Sequence, residues 1–138
     1  MKRLIQICFI MLVVFMIACN KNQKIVRITD NLTWVYIDEV NSSLLWKQKV
    51  IIGPGTINLK CDKLYVWGML YKENVSIFFL VNLKTGEIIK NPTINDIVFK
   101  YNINIDWDKS YTQTEIFGEQ KSMLSIKQLE EDIKILNK

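Results

Sequence analysis

Residues Leu64 to Leu83 constrain the fold more than any other stretch of the chain. Leu64–Tyr71 is apolar on both sides of an extended backbone, with Leu64, Val66 and Leu70 on one and Tyr65, Trp67, Met69 and Tyr71 on the other. The turn Lys72-Glu73-Asn74 leads into a second run of the same kind. One side of it is unbroken, Val75, Ile77, Phe79, Val81 and Leu83, and the other carries Ser76, Phe78, Leu80 and Asn82. Side chains on a strand alternate with period two, so strands that are apolar on both faces must be covered on both. This hairpin belongs at the centre of a sheet, with something packed on each side of it.

Shorter β patterns flank it. Lys24–Thr29 and Thr33–Glu39 alternate, and Asn41-Ser42-Ser43 reads as a turn. Leu44–Ile52 reads as one strand whose middle, Lys47-Gln48-Lys49, is wet as at a sheet edge. Gly53-Pro54-Gly55 reads as a chain reversal, because Pro presets φ and Gly tolerates positive φ. Thr56–Cys61 follows as a short strand. Past the central hairpin, Lys84-Thr85-Gly86 supplies a short loop into Glu87–Lys90, and Asn91-Pro92 ends that pairing. Ile97–Asp108 has the cleanest period-two pattern of all, with Ile97, Phe99, Tyr101, Ile103, Ile105 and Trp107 opposite a polar face. It predicts a strand with one side in the core and one in water. Tyr111–Phe117 reads as a further strand.

The C-terminus changes period. Ser125 with Gln128 matches a capping box, and Ile126, Leu129, Ile133 and Leu136 recur at helical spacing. The pattern predicts an amphipathic helix over 125–137, laying one apolar stripe on the sheet. Together the elements predict a mainly β fold. The expectation is an antiparallel β-sandwich or small barrel of seven to eight short strands with one C-terminal helix.

Composition removes several chemistries. The 138-residue chain contains no histidine, so Ser-His-Asp and Cys-His catalysis, His-ligated zinc and the ordinary pH switch are excluded. Neither Ser42 nor Ser43 has a Ser-x-x-Lys pattern, and no phosphate-binding Gly-rich loop or Cys-x-x-Cys occurs. No basic run of five or more residues exists, which argues against a nucleic-acid partner.

The first residues carry an address. Lys2 and Arg3 precede the fifteen-residue uncharged run Leu4–Ala18, and Cys19 is followed by polar Asn20-Lys21-Asn22-Gln23-Lys24. The run is shorter than the roughly 20 residues that span a bilayer and has the layout of a secretory signal. Small Ala18 directly before Cys19 resembles the lipobox of bacterial lipoproteins, with Ile17 fitting the pattern and Met16 standing where Leu is usual. The resemblance implies removal of residues 1–18 and lipid on Cys19. It implies a tether over 19–24 and a single domain over 25–138, in the bacterial cell envelope, facing the periplasm or the cell exterior. An uncleaved anchor and a plain cleaved signal are the alternatives. Lys2 and Arg3 leave with the signal, so sixteen Lys and Arg remain against fourteen Asp and Glu. Cys8 also leaves, and Cys61 is then alone in the domain, where it reads as a small buried hydrophobe.

Two constellations are candidate sites. On the predicted strand, Asn102, Asn104, Asp106 and Asp108 form a ladder of oxygen atoms with about 6.5–7 Å between successive members. Asp106-x-Asp108-x-Ser110 copies the start of a calcium loop, but Tyr111 stands where that loop needs Gly and Phe117 where it needs Glu. The second is the row Tyr65, Trp67 and Tyr71, which is core if buried under the helix and a binding patch if exposed. No residue is assigned a catalytic or metal role, and no cofactor is expected. The domain is expected to bind another envelope protein through these residues, like the small envelope lipoproteins that neutralise toxins from neighbouring bacteria, which it is similar to in type. A structural or assembly lipoprotein of an envelope machine is the alternative. Calcium- or carbohydrate-dependent activity at Asp106 and Asp108 comes third.

Overall fold

The computed structural model describes Arg3, Gln6 and residues 24–138. Apart from Arg3 and Gln6, the expected signal segment lies outside the described residues, and so does Cys19. Eight strands form one antiparallel sheet, open rather than closed, and a helix ends the chain. The strands are β1 (Lys24–Arg27), β2 (Leu32–Asp38), β3 (Asn41–Trp46), β4 (Lys49–Asp62), β5 (Tyr65–Lys72), β6 (Val75–Asn82), β7 (Ile88–Lys90) and β8 (Tyr111–Thr112). The first seven run in sequence order as a meander, and β8 pairs with β4. The mainly β expectation holds, and the small-barrel alternative does not form.

Strand β4 joins two halves of this sheet. Its first part pairs with β3 and its second with β5, through Thr56↔Tyr71 to Asp62↔Tyr65. Gly53-Pro54-Gly55 is therefore not a break between strands but a corner inside one. Gly53 sits at φ 103°, and a Cβ there would lie 2.6 Å from the Ser42 carbonyl oxygen, so only glycine fits. Past the corner the halves face each other. Gly86, in the β6–β7 loop at φ 74°, packs against the Trp46 ring at the end of β3.

Other turns also differ from expectation. Leu44–Ile52 is not one strand, because Lys47 and Gln48 both take left-handed φ, 48° and 69°, and form the β3–β4 hairpin turn. Two such residues match the twist of the flanking strands. Asn41-Ser42-Ser43 is not a turn but the start of β3; the chain reverses at Glu39-Val40.

The central hairpin is placed as its pattern requires. On one side Val66, Leu70, Phe79 and Val81 join Ile28, Leu32, Trp34 and Leu44 from the first half in a single buried cluster. Helix α1 (Gln113–Phe117) adds Ile116 and Phe117 to it, and helix α2 (Met123–Leu136) adds Leu129, with Ile126, Ile133 and Leu136 at its margin. Residues 113–117 were expected to extend a strand. They turn helical because Thr112 and Glu115 form a capping box, the Thr112 hydroxyl accepting from the Glu115 N–H and the Glu115 carboxylate from the Thr112 N–H. Helix α2 begins earlier than the expected 125, since Ser122 is its N-cap and accepts the Ser125 N–H at 3.2 Å.

The other side of the hairpin is covered by residues 93–107, and these are not the strand their alternation suggests. Thr93 starts a turn by accepting the Asp96 N–H on its hydroxyl at 3.1 Å and the Ile97 N–H on its carbonyl at 3.0 Å. Asp96–Lys100 is a single π-helical turn, Asn102 takes a left-handed φ of 53°, and Trp107–Lys109 is a 3-10 turn. Only Ile97 and Ile103 are buried, against Trp67 and Leu80. Every second residue from Ile97 to Trp107 is apolar, yet Tyr101 and Ile105 are only partly buried and Phe99 and Trp107 are exposed, because the segment lies across the sheet instead of joining it. The first half of the sheet and the two helices therefore cover the Phe79 face, and this strap covers the Trp67 face.

Candidate partner-binding surface

The strap is held down by aromatic contacts along its length. Tyr101 meets Tyr65 edge-on at 5.6 Å, and Trp107 meets Trp67 at 5.3 Å and Phe78 at 5.5 Å, both near perpendicular. These are favourable edge-to-face geometries. The Asp106 carboxylate caps the last turn by accepting the Asp108 N–H at 3.2 Å, and its other oxygen lies 3.4 Å from Lys109 Nζ.

What the strap does not bury is unusual. Ile94 is 79% exposed, Phe99 82%, Trp107 47% and Val98 46%. Single exposed apolar residues are ordinary, but four on one segment give it the apolar character that marks interaction sites. Phe99 and Trp107 supply the rigid aromatic area enriched in interface hot spots.

The structure brings together most of the expected site residues. Asn104 and Asp106 line a groove of about 150 Å³ with Trp67, Lys60 and Lys109, and Tyr65, Asn102 and Asn104 line a second of about 300 Å³ beside it. Both run along the seam between the strap and the β4–β5 turn. Trp67 is buried, and among the described residues its indole N–H has no hydrogen-bond partner. Asp108 is exposed on the 3-10 turn. Tyr71 is exposed too, but it sits at the opposite end of β5 from Tyr65 and stands apart from the seam. The four polar residues do not form a strand ladder, since that backbone is irregular. Phe99 and Trp107 were expected in the core and are exposed instead. Thr93 followed three residues on by Asp96 was the available signal, being a helix-start pattern.

Elsewhere the polar groups are engaged in holding the fold. Asp132 on α2 accepts from Lys60 at 2.7 Å and from the Tyr111 hydroxyl at 2.5 Å. Burial, with the Asp132 hydrogen bond behind it, pushes the Tyr111 hydroxyl well above its usual range. Burial also pushes the Cys61 thiol up to about 12, helped by the Asp132 charge. Neither group ionises near neutral pH, so neither is an activated nucleophile. An open cleft of about 390 Å³ lies at the corner end between Glu39, Val40 and the 118–120 loop. Its Tyr36 hydroxyl is raised by burial and then by Glu39, Asp38 and Glu119. Among the described residues no three His, Cys, Asp or Glu side chains converge on a metal-sized point. No described helix is long and apolar enough to cross a membrane.

The chain was compared with known families, curated proteins and solved structures. It matches none of them.

Proposed function

We propose that this chain is a bacterial envelope lipoprotein, anchored through lipid on Cys19, that captures another protein on its strap and turns over no substrate. The observation that carries the reading is the exposure of Phe99 and Trp107 on a segment that Tyr101 and Trp107 itself fix to the sheet. The Trp107 ring, already held against Trp67 and Phe78, loses little entropy on binding. Asp108, free on the neighbouring turn, favours a partner with a cationic rim. A toxin met in the envelope has that role in immunity-type lipoproteins, and capture without chemistry is how such a protein acts.

A photo-crosslinking amino acid at position 99, in living cells, tests the surface and identifies the partner. With the partner in hand, Phe99→Asp is expected to weaken capture by about 30-fold or more, the loss of one hot-spot anchor of about 2 kcal/mol. Reversing Asp106 and Asp108 together has a smaller, salt-dependent effect, because Asp106 is already paired with Lys109. An unchanged Kd for Phe99→Asp moves the interface off the strap.

The anchor has its own test. Cys19→Ser is expected to leave an uncleaved precursor that keeps residues 1–18 and carries no acyl mass. A mature protein whose first residue lacks acyl mass ends the lipoprotein reading.

A further inference from the structure

One transverse row of pairs crosses the sheet where the described chain begins. Lys24 lies opposite Tyr36, Tyr36 opposite Ser42 and Ser42 opposite Gly55; beyond the corner, Thr56 lies opposite Tyr71 and Tyr71 opposite Ser76. Everything past this row forms one end of the domain. It includes the β2–β3 turn at Glu39-Val40, the corner of β4 and the β5–β6 turn at Glu73-Asn74. The cleft between Val40 and the 118–120 loop places the start of α2 at the same end. The opposite end holds the other terminus of α2, where the Asn137 side chain donates to the Ile28 carbonyl at 2.9 Å.

The row's end is rich in unburied apolar side chains. Ile37 is 57% exposed, Val40 64%, Val75 57%, Met123 74% and Leu124 76%. Lys24 is fixed there, donating to the Phe117 carbonyl at 2.8 Å and lying 5.4 Å over the Tyr36 ring. Cys19 precedes Lys24 by five residues, which reach at most about 18 Å when fully extended. Lipid on Cys19 would therefore keep this end of the domain within about 18 Å of the bilayer.

We propose that this end is a bilayer-contacting surface, in which Val40, Met123 and Leu124 enter the headgroup–acyl boundary and orient the strap away from the membrane plane. The proposal rests on the lipoprotein reading for the tether and on the exposed side chains for the contact. Apolar side chains presented at an interface bury about 5–10 Å into that boundary. This end carries acidic Asp38, Glu39 and Glu119 as well as Lys121, so the contact rests on its apolar side chains and not on charge.

The test uses the full-length protein, processed in cells and purified into vesicles of phosphatidylethanolamine and phosphatidylglycerol. Leu124→Cys carries an environment-sensitive fluorophore, and Val40→Cys repeats the measurement from the hairpin turn. Lys84→Cys, in the exposed loop at the opposite end, is the control. Cys61 is buried and stays unlabelled. The expected result is blue-shifted emission at 124 and 40, quenched by bromines placed high on the acyl chains, with water-like emission at 84. Water-like emission at all three sites, in protein whose acyl mass is confirmed, overturns the orientation and leaves the anchor standing. A blue shift without lipid quenching overturns it in favour of a second copy or a protein on that surface. Absence of acyl mass overturns the anchor and this proposal together.

Discussion

Replacing Phe79 with alanine is expected to cost about 3–5 kcal/mol of folding stability and to lower the thermal midpoint by about 10–20 °C. Phe79 is fully buried in the middle of β6, on the face where both halves of the sheet and the two helices meet. Its neighbours there are strand residues whose positions are set by backbone pairing, so they cannot collapse into the space left behind. The cost is then the lost transfer free energy together with most of the cavity term. Phe78, one residue earlier, lies on the other face under Trp107 and is only partly buried. Phe78→Ala is therefore expected to cost less. Thermal melts followed by tryptophan circular dichroism compare the two, and a loss below about 1 kcal/mol for Phe79→Ala contradicts the core placement.

The contrast between these two residues shows what the sequence made legible. Strands β5 and β6 were readable because both faces are apolar and the turn between them is polar, and no other local structure satisfies that pattern. What covers each face was not readable. Both the terminal helix and residues 93–107 carry apolar stripes, and periodicity alone does not say which stripe meets which face. The strap misled because alternation measures spacing along the chain, not hydrogen-bonded pairing. Ile97 and Ile103 are six residues apart, a separation that a strand and a folded strap both allow. The Lys47-Gln48 turn was invisible for a different reason. Left-handed pairs are normally marked by Asn or Gly, and here long polar side chains accept the strain at the surface. Gly53-Pro54-Gly55 was recognised as a place where direction changes, and the change is a corner within a paired strand. Asn102, Asn104 and Asp106 were found by a strand argument that fails, whereas Tyr65 and Trp67 lie on a strand, β5, as their pattern predicts. The two sets still share a surface because the strap returns alongside the β4–β5 turn.

Gln113→Leu is the substitution expected to expose how the corner is held. The Gln113 side chain is 1% exposed at the start of α1. Its Oε1 accepts the Ser42 hydroxyl at 2.6 Å and the Ile57 N–H at 3.1 Å. Its Nε2 donates to the carbonyls of Asp38 and Glu39 at 3.0 and 3.1 Å. Ser42 in turn accepts the Trp34 indole N–H at 3.0 Å. One side chain thus joins β2, β3, β4 and α1 with every polar atom satisfied. Leucine keeps the volume and strands the Ile57 N–H at least, and each buried group left without a partner costs about 1–3 kcal/mol. The total expected is about 2–5 kcal/mol. Gln113→Glu separates hydrogen bonding from packing. A carboxyl buried against two carbonyls has its pKa raised above the ordinary value of about 4.3. Below about pH 4 the acid is protonated in both states, donates to one carbonyl, and the deficit is small. As pH rises past that value the unfolded chain ionises first, and the deficit grows by about 1.4 kcal/mol per pH unit until the folded pKa is reached. Urea unfolding of both variants against wild type between pH 4 and pH 7 measures this. A Gln113→Glu deficit that stays flat over that range means the side chain meets water, and the corner is held by packing alone.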